Sequence, residues 1–272
     1  MPLLGGSPAF PEGTPMTEKH VDYVFADGAA RITLVAGDRG NPIEPVSTRQ
    51  LHDAVLRAKV DGARVIVLAA EGRFFSVGGD LGAFADADDP GALLLDLAES
   101  VHRVVTELVR GDAVVVSVVQ GTAAGGGFPL AAAADIVLAA DSAKFSLAYA
   151  KVGLSPDCGG SLLVHTLGLH RVLRLALLGD VLTAQEAADA GLVARVVPAA
   201  DLAEVAEDVV AQLLAGSSAA FAAAKRLVRG VAEPAPEAAL RREAESISEL
   251  GGSPQGQEGV AAFLEKRPPR FG

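Results

Sequence analysis

Tryptophan is absent from the 272 residues, tyrosine occurs twice and cysteine once. Ten phenylalanines make up the rest of a 4% aromatic content in which no surface for stacking bases or anchoring a peptide announces itself, and Cys158 alone cannot close an internal disulfide. We read it as a small buried thiol. Basic residues are also in short supply, 23 Lys and Arg against 34 Asp and Glu, for a formal net charge of −11 and a pI near 4.9. Such a surface repels nucleic acid and anionic membranes, so neither is expected as a partner, and a polyanionic ligand needs locally placed cations. No apolar run reaches the length of about 18 residues that reads as membrane-spanning, and the start lacks a basic segment followed by an apolar one. With a single thiol suited to a reducing compartment, the expected location is the cytoplasm.

What the sequence has in quantity is aliphatic: half of it is hydrophobic, with alanine and valine dominant. The core is expected to pack through many small contacts. Residues 1–19, rich in proline and glycine, are expected to form a flexible tail outside the fold, with Met16 a possible alternative start. Residues 20–198 read as an α/β core and residues 199–272 as a helical segment. Val21 to Phe25 and Ala30 to Val35 flank Asp27-Gly28, a hairpin dipeptide. Ser47 is placed to cap a helix running to about Asp61, before a buried strand from Arg64 to Ala70. Gly72 to Gly82 reads as a loop. Apolar residues at 93, 94, 97, 101, 104, 105 and 108 recur at helical spacing, and Ala113 to Val119 is a second buried strand. Asp135 to Ala139 and Lys144 to Ser146 are shorter strands. Beyond Gly159 helices predominate, with Arg195 to Val197 a last strand. Alternation followed by helices predicts an α/β core with a helical extension.

Two segments carry the chemistry: Phe75-Ser-Val-Gly-Gly-Asp-Leu81 beyond one buried strand, and Gly121-Thr-Ala-Ala-Gly-Gly-Gly127 beyond the next. Glycine lets backbone N–H groups approach a ligand closely, and two such loops can grip one oxygen. Neither fits the dinucleotide or phosphate-loop patterns. His20, His52, His102, His165 and His170 show no metal-binding spacing, and no metal is expected.

In this order and at this separation the segments resemble the crotonase, or enoyl-CoA hydratase/isomerase, superfamily. Further landmarks agree: NPI at 41–43, VGLSPDCGG at 152–160, LTAQEAADAGLV at 182–193 and EGVAAFLEKRPPRF at 258–271. The resemblance implies a spiral of ββα units with a helical C-terminal trimerisation segment, and a homotrimer or dimer of trimers. It also implies an acyl-coenzyme A thioester as substrate, with coenzyme A part of that substrate and no further cofactor. The backbone N–H groups of Gly79 and Gly126 are the implied oxyanion-hole donors, which hold the thioester oxygen as an enolate forms. Coenzyme A contacts are implied at Arg39, Asn41, Ile43, Phe263 and Lys266, the last two on the final helix.

Hydratases of this family use two glutamates, and the matching positions here hold Pro129 and Tyr149. Proline carries no proton and a phenol of ordinary pKa near 10 replaces a carboxylate poorly, so hydration is expected to be slow or absent. Tyr149 is instead a candidate for lining the acyl pocket. Asp157 lies where isomerases resembling this chain place a single catalytic acid. A lone carboxylate can remove a proton and return it two carbons away, which shifts a double bond. The competing reading makes Asp157 a helix cap for the segment opening at Gly159-Gly160. Asp80 reads as a structural anchor of its loop. The expected activity is therefore an enoyl-CoA isomerase. The alternatives are a ring-1,2-epoxyphenylacetyl-CoA isomerase, closest in the GLSPDCGG motif, a hydratase despite the missing pair, and a noncatalytic acyl-CoA binding protein.

Overall fold

The computed structural model describes residues 18–271, so most of the proposed N-terminal tail lies outside the described residues. The hairpin forms as its dipeptide predicts. Strands β1 (Val21–Ala26) and β2 (Ala29–Leu34) pair antiparallel, and Asp27 and Gly28 turn the chain with φ of 53° and 85°. After β3 (Pro42–Ile43) comes α1 (Pro45–Val60). Ser47 does not begin this helix. Glu44 is the N-cap, and Ser47, within the first turn, accepts the Glu44 N–H at 3.0 Å; proline at the first helical position allows the earlier start.

From there the chain winds in turns of strand, strand and helix. The first turn holds β4 (Val65–Ala70), then β5 (Phe74–Ser76) and β6 (Gly78–Gly79), then α2 (Leu81–Ala85) and α3 (Pro90–Arg110). The second holds β7 (Val114–Val119), β8 (Thr122–Ala124) and α4 (Gly127–Ala132), and the third β9 (Ile136–Ala140) and β10 (Lys144–Ser146). Helices α5 (Val164–Leu167) and α6 (Leu169–Leu178), strand β11 (Val181–Thr183), α7 (Ala184–Asp189) and β12 (Arg195–Val197) follow. Each turn gives its first strand to one sheet and its second to another. The large sheet runs β1-β2-β4-β7-β9-β12 and the small one β11-β10-β8-β5. Val, Ile, Leu and Ala fill β4, β7 and β9 because both faces of the large sheet are covered.

Gly72 to Gly82 is therefore not simply a loop: it contains β5 and β6, and β6 pairs with β3 through Ile43 and Gly79. The chain ends in α8 (Leu202–Ala215), α9 (Ser218–Ala232), α10 (Pro236–Gly251) and α11 (Pro254–Leu264). Helix α3 follows the predicted apolar stripe and packs lengthwise against α10. Beyond α11 the chain folds back: Glu258 accepts from Arg267 at 2.6 and 2.9 Å and from the Arg270 N–H at 2.8 Å. The Arg267 side chain, first among these partners, pulls the Glu258 carboxyl down to about 2. A depressed carboxyl stabilises the fold above its unfolded pKa and loses that contribution as pH falls through the folded one. Wild type is thus expected to melt above Glu258→Gln at pH 6, the gap closing between about pH 4.5 and 2. A gap unchanged at pH 2 in melting curves contradicts this.

Candidate active site

The two glycine loops pack back to back. Gly78, at φ 87°, has no room for a side chain: a Cβ there would stand 2.9 Å from the Ala124 carbonyl oxygen and 3.2 Å from the Gly125 Cα. Gly125 sits at φ 51°, again a glycine conformation. This contact brings Gly79 and Gly126 to the wall of one cavity of about 220 Å³. The Gly126 N–H meets no acceptor among the described residues. Asp80, as expected of a loop anchor, caps α2 by accepting the Gly82 and Ala83 N–H groups.

Apolar side chains form the rest of the wall, with Leu94, Leu97 and Ala98 from α3, Leu154, and Ile247 from α10. Ile43, Tyr149, Asp157 and Phe263 also line it, so six of the sequence-selected residues, counting the two glycines, converge. Asp157 is the only carboxylate among the described lining residues. Arg39, Asn41 and Lys266 do not line the cavity. The Arg39 guanidinium is held by Glu44 at 3.0 and 2.9 Å and reaches Asp80 at 3.3 Å. Asn41 is buried at φ 53°, and its amide donates to the Glu71 and Phe74 carbonyls. Lys266 is exposed in the turn after α11 rather than on the helix, which ends at Leu264.

Asp157 stands in a loop bent by two successive residues of positive φ, Cys158 at 60° and Gly159 at 95°. It does not cap the following segment with its side chain. The N–H groups of Gly159 and Ser161, each at 2.8 Å, donate to Glu243 of α10. The Asp157 side chain is thereby left to face the cavity, 5% exposed. Its Oδ1 lies 2.7 Å from His102 Nε2 on α3, and Oδ2 is 3.6 Å from the Cys158 thiol. His102 Nε2 is also 3.8 Å from Glu243. The Tyr149 hydroxyl donates to the Asp157 carbonyl at 3.3 Å. Burial, reinforced by the acidic groups around it, holds this phenol well above its ordinary pKa, so it remains protonated. Burial likewise holds the Cys158 thiol protonated, in keeping with a small buried cysteine. Burial also raises the Glu243 carboxyl, against the backbone hydrogen bonds that lower it.

His102, to which sequence spacing assigned no site, therefore belongs to this one, and Glu243 was missed altogether. Both interrupt apolar stripes: His102 lies between Val101 and Val104 on the buried face of α3, and Glu243 between Leu240 and Ala244 on that of α10. A polar residue on a buried helical face is the signal that finds them.

A spiral of strand–strand–helix turns whose glycine loops meet at an apolar cavity is the crotonase fold, and comparison with known proteins agrees. The sequence model of the enoyl-CoA hydratase/isomerase family matches residues 25–272, and the chain belongs to that family. It is 39% identical over 259 residues to a Rhodobacter capsulatus protein named "Probable enoyl-CoA hydratase", covering 94% of this chain and 99% of the relative. It is 36% identical to the 1,2-epoxyphenylacetyl-CoA isomerase of Escherichia coli K12, covering 90% and 95%. Among solved structures, an enoyl-CoA hydratase from Mycobacterium avium subsp. paratuberculosis K-10 superposes with a TM-score of 0.85 at 33% identity, covering 93% of this chain and 99% of the other. No described helix is long and apolar enough to cross a membrane.

Proposed function

We propose that the protein is an enoyl-CoA isomerase in which Asp157 moves a single proton along the acyl chain. The observation that carries this reading is the cavity itself: one carboxylate, two glycine loops and otherwise mostly apolar walls. The acyl group of a 3-enoyl-CoA enters that cavity with its thioester oxygen toward the N–H groups of Gly79 and Gly126. Asp157 takes a proton from C2, the electron pair moves onto the thioester oxygen, and the dienolate is held by the two donors. Collapse of the dienolate with return of the proton to C4 leaves a C2=C3 double bond and regenerates the carboxylate. Water takes no part. Tyr149, held protonated, orients the Asp157 loop through its hydrogen bond and does not act as a base. Pro129, at the other hydratase glutamate position, lies in the first turn of α4 and does not line the cavity.

Ile43 and Phe263 line the cavity, and coenzyme A is proposed to run past them with Lys266, Arg39 and the backbone at Asn41 as outer contacts. Arg39 meets a phosphate only by sharing the guanidinium that Glu44 and Asp80 hold. The test is to supply purified protein with a 3-enoyl-CoA and, separately, a 2-enoyl-CoA. Appearance of the conjugated thioester from the first and no 3-hydroxyacyl-CoA from the second supports the reading. Hydration of the second at a comparable rate contradicts it. The E. coli relative's name favours one second reading, an aromatic-derived epoxide thioester in the same apolar cavity, tested by offering that substrate in parallel.

The proposed homotrimer or dimer of trimers has an apolar surface to use. Leu169, Leu173 and Leu177 stand on one face of α6, 57%, 43% and 70% exposed. Light scattering is expected to give three or six times the 27.6 kDa chain mass, and a monomer at micromolar concentration contradicts this.

A further inference from the structure

Three ionisable side chains meet at the cavity wall, each from a different element and each less than a tenth exposed: Asp157 of the 153–159 loop, which lines the cavity, and His102 of α3 and Glu243 of α10 behind it. Burying two carboxylates side by side is costly unless a donor or cation lies between them. The His102 imidazole is the group that fills this place, 2.7 Å from one and 3.8 Å from the other. The remaining titratable groups at this point are Tyr149 and Cys158, both held neutral by burial, so neither adds a further negative charge, and neither side chain can supply a positive one.

Glu243 and His102 divide the work. Each Glu243 oxygen accepts a backbone N–H, from Gly159 at the end of the Asp157 loop and from Ser161 just beyond it, which fixes the loop but leaves the carboxylate of Asp157 free to rotate. His102 is the group within reach that removes that freedom, since its Nε2 meets Oδ1 while Oδ2 has only the Cys158 thiol at 3.6 Å. The approach lies off the axis of the ring N–H, so Nε2 and Oδ1 both lack a completed hydrogen bond. Catalytic hydrogen bonds are often poorly aligned without substrate and tighten in the complex.

We propose that His102 is a positioning residue for Asp157, pinning Oδ1 so that Oδ2 is the oxygen presented to the acyl chain, with Glu243 fixing the loop that carries it. The inference rests on Asp157 being the base. A metal ion shared by the three is the competing use of the same atoms. Tetrahedral ligands at zinc bond lengths of about 2.0–2.1 Å stand about 3.3 Å apart, whereas Nε2 and Oδ1 are at hydrogen-bond spacing, 2.7 Å.

The test uses the full-length protein turning over a 3-enoyl-CoA. His102→Leu is expected to lower kcat about 10²-fold with KM within about 3-fold of wild type, since His102 lies behind the cavity wall and does not line it. His102→Gln, whose amide reaches where Nε2 lies, is expected to recover about 10-fold of that loss. If the leucine variant does not fold, His102→Asn, whose amide stops short of Asp157, takes its place. A variant lacking the donor with wild-type kcat, a KM that rises in step with the loss, or a glutamine variant as slow as leucine overturns the proposal. So does a wild-type rate lost on adding EDTA and restored by zinc. Asp157→Asn run alongside separates the two levels: if it keeps full activity the base assignment fails, and if it is inactive while His102→Leu is unaffected only the positioning role fails.

Discussion

Asp157→Asn is expected to lower kcat for isomerisation of a 3-enoyl-CoA by about 10²–10⁴-fold, the range that a positioned acid–base group contributes. The amide fills the same volume and keeps a polar group at the wall but cannot accept a proton. No other described residue lining the cavity is a carboxylate that could replace it. Binding is expected to survive, because the apolar wall and both glycine loops are untouched. A coenzyme A thioester should therefore still raise the melting temperature of the variant by mass action. Loss of both turnover and binding would instead indicate that the 153–159 loop had collapsed.

Gly126→Val is expected to cost about 10²–10³ in kcat, roughly 2.7–4 kcal/mol of transition-state stabilisation, the effect of losing one oxyanion donor. A Cβ at Gly126 would lie 2.6 Å from Cys158 Sγ and 2.9 Å from Ile43 Cδ1, both buried. Neither neighbour is the free end of a flexible surface side chain, so the loop must shift and its N–H must turn away from the cavity. Gly230→Ala is the control: nothing stands within 4 Å of a Cβ there, and alanine in the interior of α9 favours the helix. Its activity is expected to equal that of wild type. If Gly126→Val also turns over normally, the backbone of this loop does not hold the thioester oxygen.

Long apolar runs announced the large sheet. β4 and β7 are Val, Ile, Leu and Ala with little else, and such strands have few places to go except between two layers. Helix α3 was equally plain from its stripe. The small strands were not. β5, β6, β8 and β11 are two or three residues of Phe, Ser, Gly, Thr, Ala, Val and Leu, whose strand character comes from partners distant in the chain, as when β6 is ordered by Ile43. A local pattern has no access to that pairing.

The site divides in the same way. Gly79, Gly126 and Asp157 sit in contiguous motifs, and the cavity collects them. His102 and Glu243 come beside Asp157 only because α3 and α10 pack together, a tertiary fact that no spacing within either helix encodes. The sequence offered two readings of Asp157, base or cap, and in the fold it is Glu243 that takes the Gly159 and Ser161 N–H groups a cap would hold. Arg39 shows the reverse: a basic residue that suited a phosphate in the sequence is paired to acids in the fold.

The central claim is that one buried carboxylate carries one proton from C2 to C4. Its most direct test is single-turnover isomerisation, in ordinary water, of a 3-enoyl-CoA carrying deuterium at C2, with the product examined by NMR. Deuterium at C4 of the 2-enoyl-CoA is the predicted result, because Asp157 is shielded from solvent while the dienolate lasts. A product with only protium at C4, accompanied by 3-hydroxyacyl-CoA, would contradict the account and place water and a second proton donor in the reaction.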